Sequence, residues 1–251
     1  MMQRTRQAFD EELGQLEQRL LAMGAFVEAM LDKAVRALTE HDSDLAREVI
    51  ASDDIADDMD LEIEQRCMHL LALQQPMAGD LRMIGTVMKV IADVERIGDY
   101  SVDIARTAIK LAATAYFKPL VDIPRMAELV RAMLRKALQA LVRRDLVLVG
   151  EVINEDDQVD SLWRGLLAEL QEIMKARPEV VEQAVALLLV ARYLERIADH
   201  TENIAERVAY MTTGHLEALA PSHRADYQTG TAPPGSGAPT CCPQTCRPGK
   251  E

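Results

Sequence analysis

Apolar residues recur at steps of three and four positions along most of this chain. In the N-terminal part they stand at Phe9, Leu13, Leu16, Leu20, Met23, Val27, Met30, Leu31, Ala34 and Leu38. That period is typical of an amphipathic helix and predicts a first helix over residues 6–40. Few glycines interrupt the apolar runs, which consist mostly of Leu, Ala, Val, Ile and Met, so helix is favoured over strand elsewhere as well.

Capping residues and prolines divide the rest of the first half into two further helices. Asp42 is an N-cap residue type and opens a second helix over residues 44–74, which ends before Pro76. A third helix follows over residues 79–114. Two prolines within residues 117–124 then mark a boundary with the second half of the chain.

The second half predicts three helices in the same order. Their expected ranges are 122–142, 146–175 and 178–212. Asp145 stands where an N-cap is needed, Pro178 lies just inside the start of the last helix, and Gly214 follows its end.

The two halves also repeat each other residue by residue. Residues 94–105 read VERIGDYSVDIA, and residues 194–205, at an offset of 100, read LERIADHTENIA. At an offset of 103, Asp42, Glu48, Val49, Ile50, Asp53, Asp54 and Asp57 recur as Asp145, Glu151, Val152, Ile153, Asp156, Asp157 and Asp160. A duplicated three-helix unit with short loops makes successive helices antiparallel neighbours. We therefore predict an all-α chain of two tandem, pseudo-symmetric, antiparallel three-helix bundles, over residues 1–116 and 117–214.

The last part of the chain, residues 215–251, differs in composition from the two repeats. It is rich in Pro, Gly, Ser and Thr and has almost no large apolar side chain, so we expect a disordered tail. Cys241, Cys242 and Cys246 lie in it, with His223 nearby. They match no recognised zinc spacing, and an incidental cluster and a soft-metal site both stay open.

Charge and hydropathy limit the classes of function. The net charge of −13 argues against a nucleic-acid partner, because binding a phosphate backbone requires a basic surface. It fits a solvated surface, a basic protein partner or a cation site. No apolar run approaches the roughly 20 residues of a membrane span, and the N-terminus lacks the apolar core of a signal peptide. We therefore expect a cytoplasmic protein.

The repeated phrases place carboxylates four residues apart, on one helix face. The first stripe is Glu95, Asp99 and Asp103, and the second is Glu195, Asp199 and Asn203, with Glu202 and Glu206 beside it. Such stripes suit a hard or borderline cation, namely iron, manganese, magnesium or zinc. The alternative is a solvated face with Arg96 and Arg196 as partners within the helix. Duplication at matching places favours the cation.

One helix cannot complete a coordination shell, so the second helix of each repeat is the natural source of further ligands. It offers Asp53, Asp54, Asp57 and Asp60 in the first repeat, and Asp156, Asp157 and Asp160 in the second. Acids near a helix start are also favoured by the helix dipole, so a ligand role and a solvated face both stay open for them.

Motifs of catalysis are missing from the sequence. There is no H-E-x-x-H and no E-x-x-H, the second of which di-iron carboxylate bundles use twice. There is also no phosphate-binding loop, no G-x-G-x-x-G and no serine with the flanking glycines of a nucleophile elbow. We therefore predict that the chain is not an enzyme.

The motifs of both repeats resemble those of the PhoU family of phosphate-uptake regulators. QQPMAGDLR at 74–82, DVERIGD at 93–99 followed by Asp103, and YLERIADHTENIAE at 193–206 carry the resemblance, which covers about residues 5–213. It implies the fold of two three-helix bundles and metal binding by the E/D-x-x-x-D motifs. Carried over, the ligands are Glu95, Asp99, Asp103, Glu195, Asp199, Asn203, Glu202 and Glu206. Asn203 departs from the pattern, because its amide oxygen is a weaker, neutral ligand.

The resemblance further implies a non-enzymatic signalling adaptor. Such a protein damps the phosphate-starvation response when phosphate is plentiful, by contacting the ATPase subunit of the phosphate transporter and a sensor histidine kinase. The implied metal is iron or zinc, with magnesium or manganese as alternatives. The implied assembly is a homodimer that reaches the membrane only through its partners. A metal-dependent bundle enzyme and a purely structural helical protein are the competing interpretations.

Overall fold

The computed structural model describes residues 2–74 and 76–215, and all of the regular structure within them is helical. The helices are α1 (Met2–Glu40), α2 (Ser43–Ala51), α3 (Asp53–Gln74), α4 (Ala78–Leu111), α5 (Asp122–Arg143), α6 (Leu146–Ala176) and α7 (Val181–Thr213), with a 3₁₀ turn over Pro178–Val180 before α7. The predicted all-α class is confirmed. The predicted tail lies, beyond His215, outside the described residues.

One predicted helix is wrong in detail, because the second helix is divided at Ser52 into α2 and α3. The Ser52 hydroxyl donates a hydrogen bond of 2.8 Å to the carbonyl of Glu48, the acceptor that the Ser52 amide would use in a regular helix. The amide bonds to Val49 instead, at 3.0 Å. The equivalent residue of the second repeat, Glu155, has no such hydroxyl, and α6 runs on unbroken.

The turns after α1 and α5 have the same geometry. His41 and Arg144, at an offset of 103, both take the left-handed conformation, with φ of 55° and 54°. The next residues, Asp42 and Asp145, cap the following helix by accepting hydrogen bonds from its first backbone N–H groups. The duplicated turn therefore reverses the direction of the chain in the same way in both repeats.

The two bundles share a central group of four helices. Helix α4 packs on α1 and α7, and α5 packs on α1 and α7, with α2–α3 and α6 on the outer flanks. Asp93 meets His200 and Tyr100 meets Tyr193, so α4 and α7 run antiparallel. The largest fully buried side chains are Leu16, Leu20, Met23, Leu31, Leu38, Ile63, Ile84, Ile97, Ile104, Met126, Met133 and Leu134. The central four helices therefore provide most of the common core.

Helices α1 and α5 meet through opposite charges at equivalent positions. Arg131 forms ion pairs with Asp32 and, at 3.6 Å, with Glu28, and Arg135 also pairs with Glu28. Positions 28 and 131 correspond in the two repeats, as do positions 32 and 135. The first repeat therefore supplies only acids to this contact and the second repeat only bases.

The connection between the repeats is held to both bundles. The Gln183 amide of α7 donates 3.1 Å to the carbonyl of Ala115 and accepts 3.0 Å from the N–H of Phe117. The Tyr116 hydroxyl donates 2.6 Å to the carbonyl of Leu38 in α1. Lys118 pairs with Glu169 of α6 at 2.6 Å. The predicted boundary between residues 116 and 117 lies within this connection. Among the described residues, none of the helices combines the length and apolar character needed to cross a bilayer.

Candidate metal site at two acidic clusters

Carboxylates gather where the outer helix of each repeat packs on its last helix. The first acidic cluster consists of Asp53, Asp57 and Asp60 of α3 with Glu95 and Asp99 of α4. The second acidic cluster consists of Asp156 and Asp160 of α6 with Glu195, Asp199 and Glu202 of α7. In each repeat the two helices are antiparallel, and the first part of the outer helix (α3 or α6) packs against the middle of the last helix (α4 or α7). The acids of the outer helix therefore meet the carboxylate stripe of the last helix.

Burial and mutual repulsion both act on the first acidic cluster. The pKa of Glu95 is raised by burial first, and then by the negative charges of Asp99, Asp57 and Asp60. Burial raises the pKa of Asp53 as well, with Asp57 and Asp99 adding to the shift. Each group is thus held where its charged form is disfavoured, which a nearby cation would reverse.

The second acidic cluster is more deeply buried. Asp156 is 9% exposed, and burial raises its pKa to about 7, with Glu202, Asp199 and Asp160 contributing. The pKa of Glu195, 8% exposed, is also raised, by burial and then by Asp199, although Arg192 and Arg196 act in the opposite direction. A carboxyl group that titrates near neutral pH is a sign of a functional site.

Two carboxylate oxygens in these clusters are buried without a hydrogen-bond partner. They are Oδ1 of Asp60 in the first cluster and Oε2 of Glu195 in the second. Buried polar atoms normally have a partner, so each such oxygen calls for an explanation. A hard or borderline cation would supply it, because carboxylate oxygens are the ligands that such an ion takes.

Several of the predicted ligands form ion pairs with arginines of their own helices. Arg96 lies 2.8 Å from Asp99 and 3.6 Å from Glu95, and Arg196 lies 3.1 Å from Asp199. Further ion pairs join Arg192 to Glu195 and Arg106 to Asp103. Across the described residues, no three His, Cys, Asp or Glu side chains are arranged to hold a metal ion. Ligation would therefore require these side chains to exchange their arginines for the ion.

Not all predicted ligands join a cluster. Asn203 lies at the seam between α4 and α7, where its amide donates 3.5 Å to Asp93, and His200 Nδ1 lies 2.9 Å from the same oxygen. Asp103 faces this seam too, because the pKa of Tyr193 is raised by burial first and then by the charge of Asp103. Glu206 is half-buried on α7, one turn beyond Glu202.

Sequence reasoning singled out Asp103 and Asn203 of this seam but missed its two tyrosines and the residues of the cluster edge. Tyr100 and Tyr193 stack with ring centroids 5.9 Å apart, and Arg192 lies over the Trp163 ring. The offset of 100 was the available signal for the seam, because it equates Asp93 with Tyr193 and Tyr100 with His200. The contact of Asp93 with His200 and the contact of Tyr100 with Tyr193 therefore occupy equivalent positions in the two repeats.

The PhoU domain model matches residues 20–108 and again residues 123–208, one match in each repeat. The chain belongs to the PhoU family. Among relatives of this PhoU-family chain, a phosphate-specific transport system accessory protein PhoU homolog from Clostridium acetobutylicum is 39% identical, covering 84% of this chain and 96% of the relative. The homolog from Aquifex aeolicus is 40% identical, covering 82% of this chain and 93% of the relative.

Solved structures of the family share the fold. The crystal structure of PhoU from Pseudomonas aeruginosa is similar with a TM-score of 0.80 and 37% identity, covering 82% of this chain and all (100%) of that one. The phosphate transport system regulatory protein PhoU from Streptococcus pneumoniae has a TM-score of 0.78 and 32% identity, covering 83% of this chain and 99% of that one. The prediction of a PhoU-like pair of bundles is thereby confirmed.

Proposed function

We propose that this chain regulates phosphate transport as a binding protein and not as an enzyme. The observation that carries the proposal is the presence of a PhoU domain in each repeat, together with relatives named phosphate-specific transport system accessory proteins. The chain covers 96% of one such relative and 93% of another, so the likeness extends over the whole accessory protein and not over a shared module.

Its partners, on this proposal, are the ATPase subunit of the phosphate transporter and the sensor histidine kinase of the phosphate regulon. The chain acts in the cytoplasm as a homodimer, represses the starvation response when phosphate is plentiful, and reaches the membrane through its partners. An apolar stripe on α7 supports a docking role: Val181, Val185 and Leu189 lie one turn apart and are 38–46% exposed. The net charge of −13 would steer the chain toward basic partner surfaces.

The acidic clusters, we further propose, bind metal ions, with iron or zinc first and magnesium or manganese as alternatives. The proposed ligands of the last helices within the clusters are Glu95 and Asp99 in one repeat, and Glu195, Asp199 and Glu202 in the other. The motifs further imply Asp103, Asn203 and Glu206, which lie outside the clusters and would have to move to reach the ion. A bound ion supplies positive charge among carboxylates that otherwise repel one another. Asp57 and Asp156, from the outer helices, would then hold α3 against α4 and α6 against α7.

Elemental mass spectrometry tests the metal proposal. The full chain is purified without chelator beside the double variant Asp99→Asn, Asp199→Asn. A matched control, Glu48→Gln with Glu172→Gln, removes one exposed carboxylate from each repeat outside the clusters. We expect stoichiometric metal in the wild type and control and a loss in the cluster variant. Equal metal content in all three proteins would contradict the ligand assignment.

Binding measurements test the adaptor proposal. The full chain is immobilised and exposed to the cognate transporter ATPase subunit and to the cytoplasmic part of the kinase, with metal and with chelator, and light scattering reports its oligomeric state. We expect saturable binding to both partners, weakened when Val185 or Leu189 is changed to Asp. No binding of either partner under any metal condition would overturn the adaptor role.

A structural role without metal is the second candidate, and one observation favours it. The predicted ligands Asp99, Asp103, Glu195 and Asp199 are all ion-paired to arginines of their own helices. These pairs supply the positive charge that the stripes need without an ion. The elemental analysis decides between the two candidates, because only the metal proposal requires content that depends on Asp99 and Asp199.

A further inference from the structure

The outward face of α3 carries a stripe of exposed acidic and apolar residues. Six residues recur at steps of four and three positions, which places them on one side of the helix, and each of them is exposed. This outer stripe consists of Asp54, Asp58, Leu61, Gln65, Met68 and Ala72. The opposite side of α3 packs on α1 and α4 and is buried at Ala56, Ile63, Cys67 and Leu70. The outer stripe is therefore the side of α3 turned away from the bundle.

The outer stripe has an acidic half and an apolar half. The acidic half is Asp54 and Asp58 in the first two turns of α3, and neither forms an ion pair within the part of the chain that the structure describes. The apolar half runs from Leu61 to Ala72, and in it Leu61 and Met68 are 50% and 55% exposed. The whole of α3 has seven acids and one arginine, so the apolar half also lies on a strongly acidic helix.

The second repeat has no such stripe at the equivalent positions. The offset of 103 relates the buried residues Ile63 of α3 and Leu166 of α6, so the register of the two helices is the same. On α6 the first five positions of the stripe carry polar or small exposed residues, namely Asp157, Ser161, Arg164, Ala168 and Gln171. Val147, outside these positions, is the one large apolar side chain that α6 exposes. The fold therefore does not require apolar residues on this face, and the apolar half of α3 calls for another explanation.

A groove lies beside the apolar half, between α3 and the first part of α1. Its volume is about 400 Å³, and Gln65 of the outer stripe lines it together with His69 of α3 and Glu12 of α1. A helix that lies along the outer stripe can therefore place a side chain in this groove.

We propose that the outer stripe binds one amphipathic helix of a partner protein, with basic residues facing the acidic half and apolar residues facing the apolar half. Such a helix would neutralise the unpaired acids and cover the exposed apolar side chains, and Met68 is an adaptable residue for that contact. A second copy of the outer stripe brings no base to these acids, and they repel an anionic lipid surface. The inference rests on the adaptor role proposed above, to which it adds a recognition surface separate from the stripe on α7.

A peptide titration tests the chemistry of the surface. The full chain is titrated into a fluorescein-labelled synthetic helical peptide that has lysines along one half of one face and leucines along the other half. A peptide of the same composition in scrambled order is the control. By fluorescence anisotropy we expect one saturable site for the patterned peptide and binding at least about tenfold weaker for the scrambled one. The affinity should fall with added salt, because the acidic half attracts the lysines.

Variants of the apolar half locate the site. Leu61→Gln with Met68→Gln should weaken binding of the patterned peptide by at least about tenfold, since two apolar contacts are lost. The matched control is Ile55→Gln with Val147→Gln. Ile55 and Val147 are 50% and 43% exposed but lie outside the outer stripe, so their replacement should leave the affinity unchanged.

Variants of the acidic half test the charge. Asp54→Asn with Asp58→Asn should weaken binding by about three- to tenfold at low salt and reduce its salt dependence. Glu48→Gln with Glu172→Gln removes two exposed acids elsewhere and should change neither property. Circular dichroism checks that each variant is folded before titration.

The same variants are then tested with the transporter ATPase subunit and the kinase. We expect Leu61→Gln with Met68→Gln to weaken binding of at least one of these partners by about tenfold or more. Unchanged binding of both would overturn the inference and leave the adaptor role in place, whereas no binding of either to the wild type would overturn both.

Three further results would also overturn the inference. They are the absence of a saturable site for the patterned peptide, equal binding of the scrambled peptide, and equal losses in the stripe variants and their controls. Light scattering excludes the remaining occupant: a dimer that Leu61→Gln with Met68→Gln dissociates would show that a second copy of the chain covers the outer stripe, against the proposal.

Discussion

At the scale of single residues, the acidic clusters hold charge where the fold disfavours it. Asp156 has carboxylates on its own helix and on α7 as neighbours and is almost fully buried. Its equivalent, Asp53, is less buried, and its pKa is raised in the same direction. Folding therefore works against the ionised form of both residues, and the chain without metal should be most stable where they are protonated.

The stability of the metal-free chain is expected to fall as pH rises from about 4 to about 7. In this window folded Asp156, with a pKa of about 7, keeps a proton that the unfolded chain releases near the ordinary value of 3.8. The free energy of unfolding should fall by up to about 4 kcal/mol across it and level off above pH 7. Thermal unfolding in chelator at pH 4 and pH 8 measures this.

Asp156→Asn should remove most of that slope, leaving the smaller part due to Asp53, Glu95 and Glu195. The neighbouring exposed residue Asp157 gives the control, Asp157→Asn, in which the slope should persist. A wild-type chain equally stable at both pH values would show that the burial of Asp156 does not disfavour its charge.

Much of the candidate site could be predicted at this scale, including Arg96 and Arg196 as partners of the carboxylates, but the role of Arg192 could not. Glu95 and Asp99 share a helix face because they lie four residues apart, and the offset of 100 assigns the same role to Glu195 and Asp199. The contact of Arg192 with Trp163 depends on the register between α6 and α7. That register is set by packing between helices far apart in sequence, which no local pattern encodes.

At the scale of helices, local rules account for the boundaries and fail at one residue. Asp42 and Asp145 cap the starts of α2 and α6, because their side chains accept hydrogen bonds from free backbone N–H groups. Pro178 opens the 3₁₀ turn before α7, where a missing N–H costs nothing. The break at Ser52 was not predicted, and residue type alone does not encode it. Ser101 and Thr201 make the same bond from the hydroxyl to the carbonyl four residues earlier, and α4 and α7 continue through them.

Two glycines within helices should respond in opposite ways to a methyl group. A Cβ on Gly24 of α1 would lie 2.2 Å from Cδ1 of Leu138 in α5, whereas a Cβ on Gly85 of α4 would meet nothing within 4 Å. Gly85→Ala should raise the free energy of unfolding by about 0.5–1 kcal/mol through helix propensity. Gly24→Ala should lower it by about 1–2 kcal/mol, since overpacking exceeds that gain.

Urea unfolding of both variants beside the wild type measures the difference. If Gly24→Ala were as stabilising as Gly85→Ala, the α1–α5 contact would have to be loose enough for Leu138 to move aside at no cost.

At the scale of the whole molecule, the repeats are related by a pseudo-twofold axis. The residues at equivalent positions of their contacts nevertheless differ in charge and type. Glu28 and Asp32 of α1 face Arg131 and Arg135 of α5, and Asp93 of α4 faces His200 of α7 where the equivalent contact joins two tyrosines. The duplication was visible in the sequence. The way the bundles pair was not, because the partners lie about 100 residues apart.

Reversing the charge of one side of the α1–α5 contact should destabilise the chain. Arg131→Glu with Arg135→Glu leaves four acids facing one another and should lower the free energy of unfolding by about 1–3 kcal/mol, since the side chains are only partly exposed. Adding Glu28→Arg and Asp32→Arg restores opposite charges and should recover most of the loss. A fourfold variant whose loss equals the sum of the two double variants would show that these charges do not interact.

The charge pattern of α1 and α5 also bears on how a duplicated gene keeps both of its copies. Two identical repeats that pair with each other can separate again, because each can serve as the other's mate. In this chain one copy carries only acids at the contact and the other only bases, so like charges would oppose the pairing of either helix with its own kind. The four positions therefore make each repeat dependent on the other for a matching face.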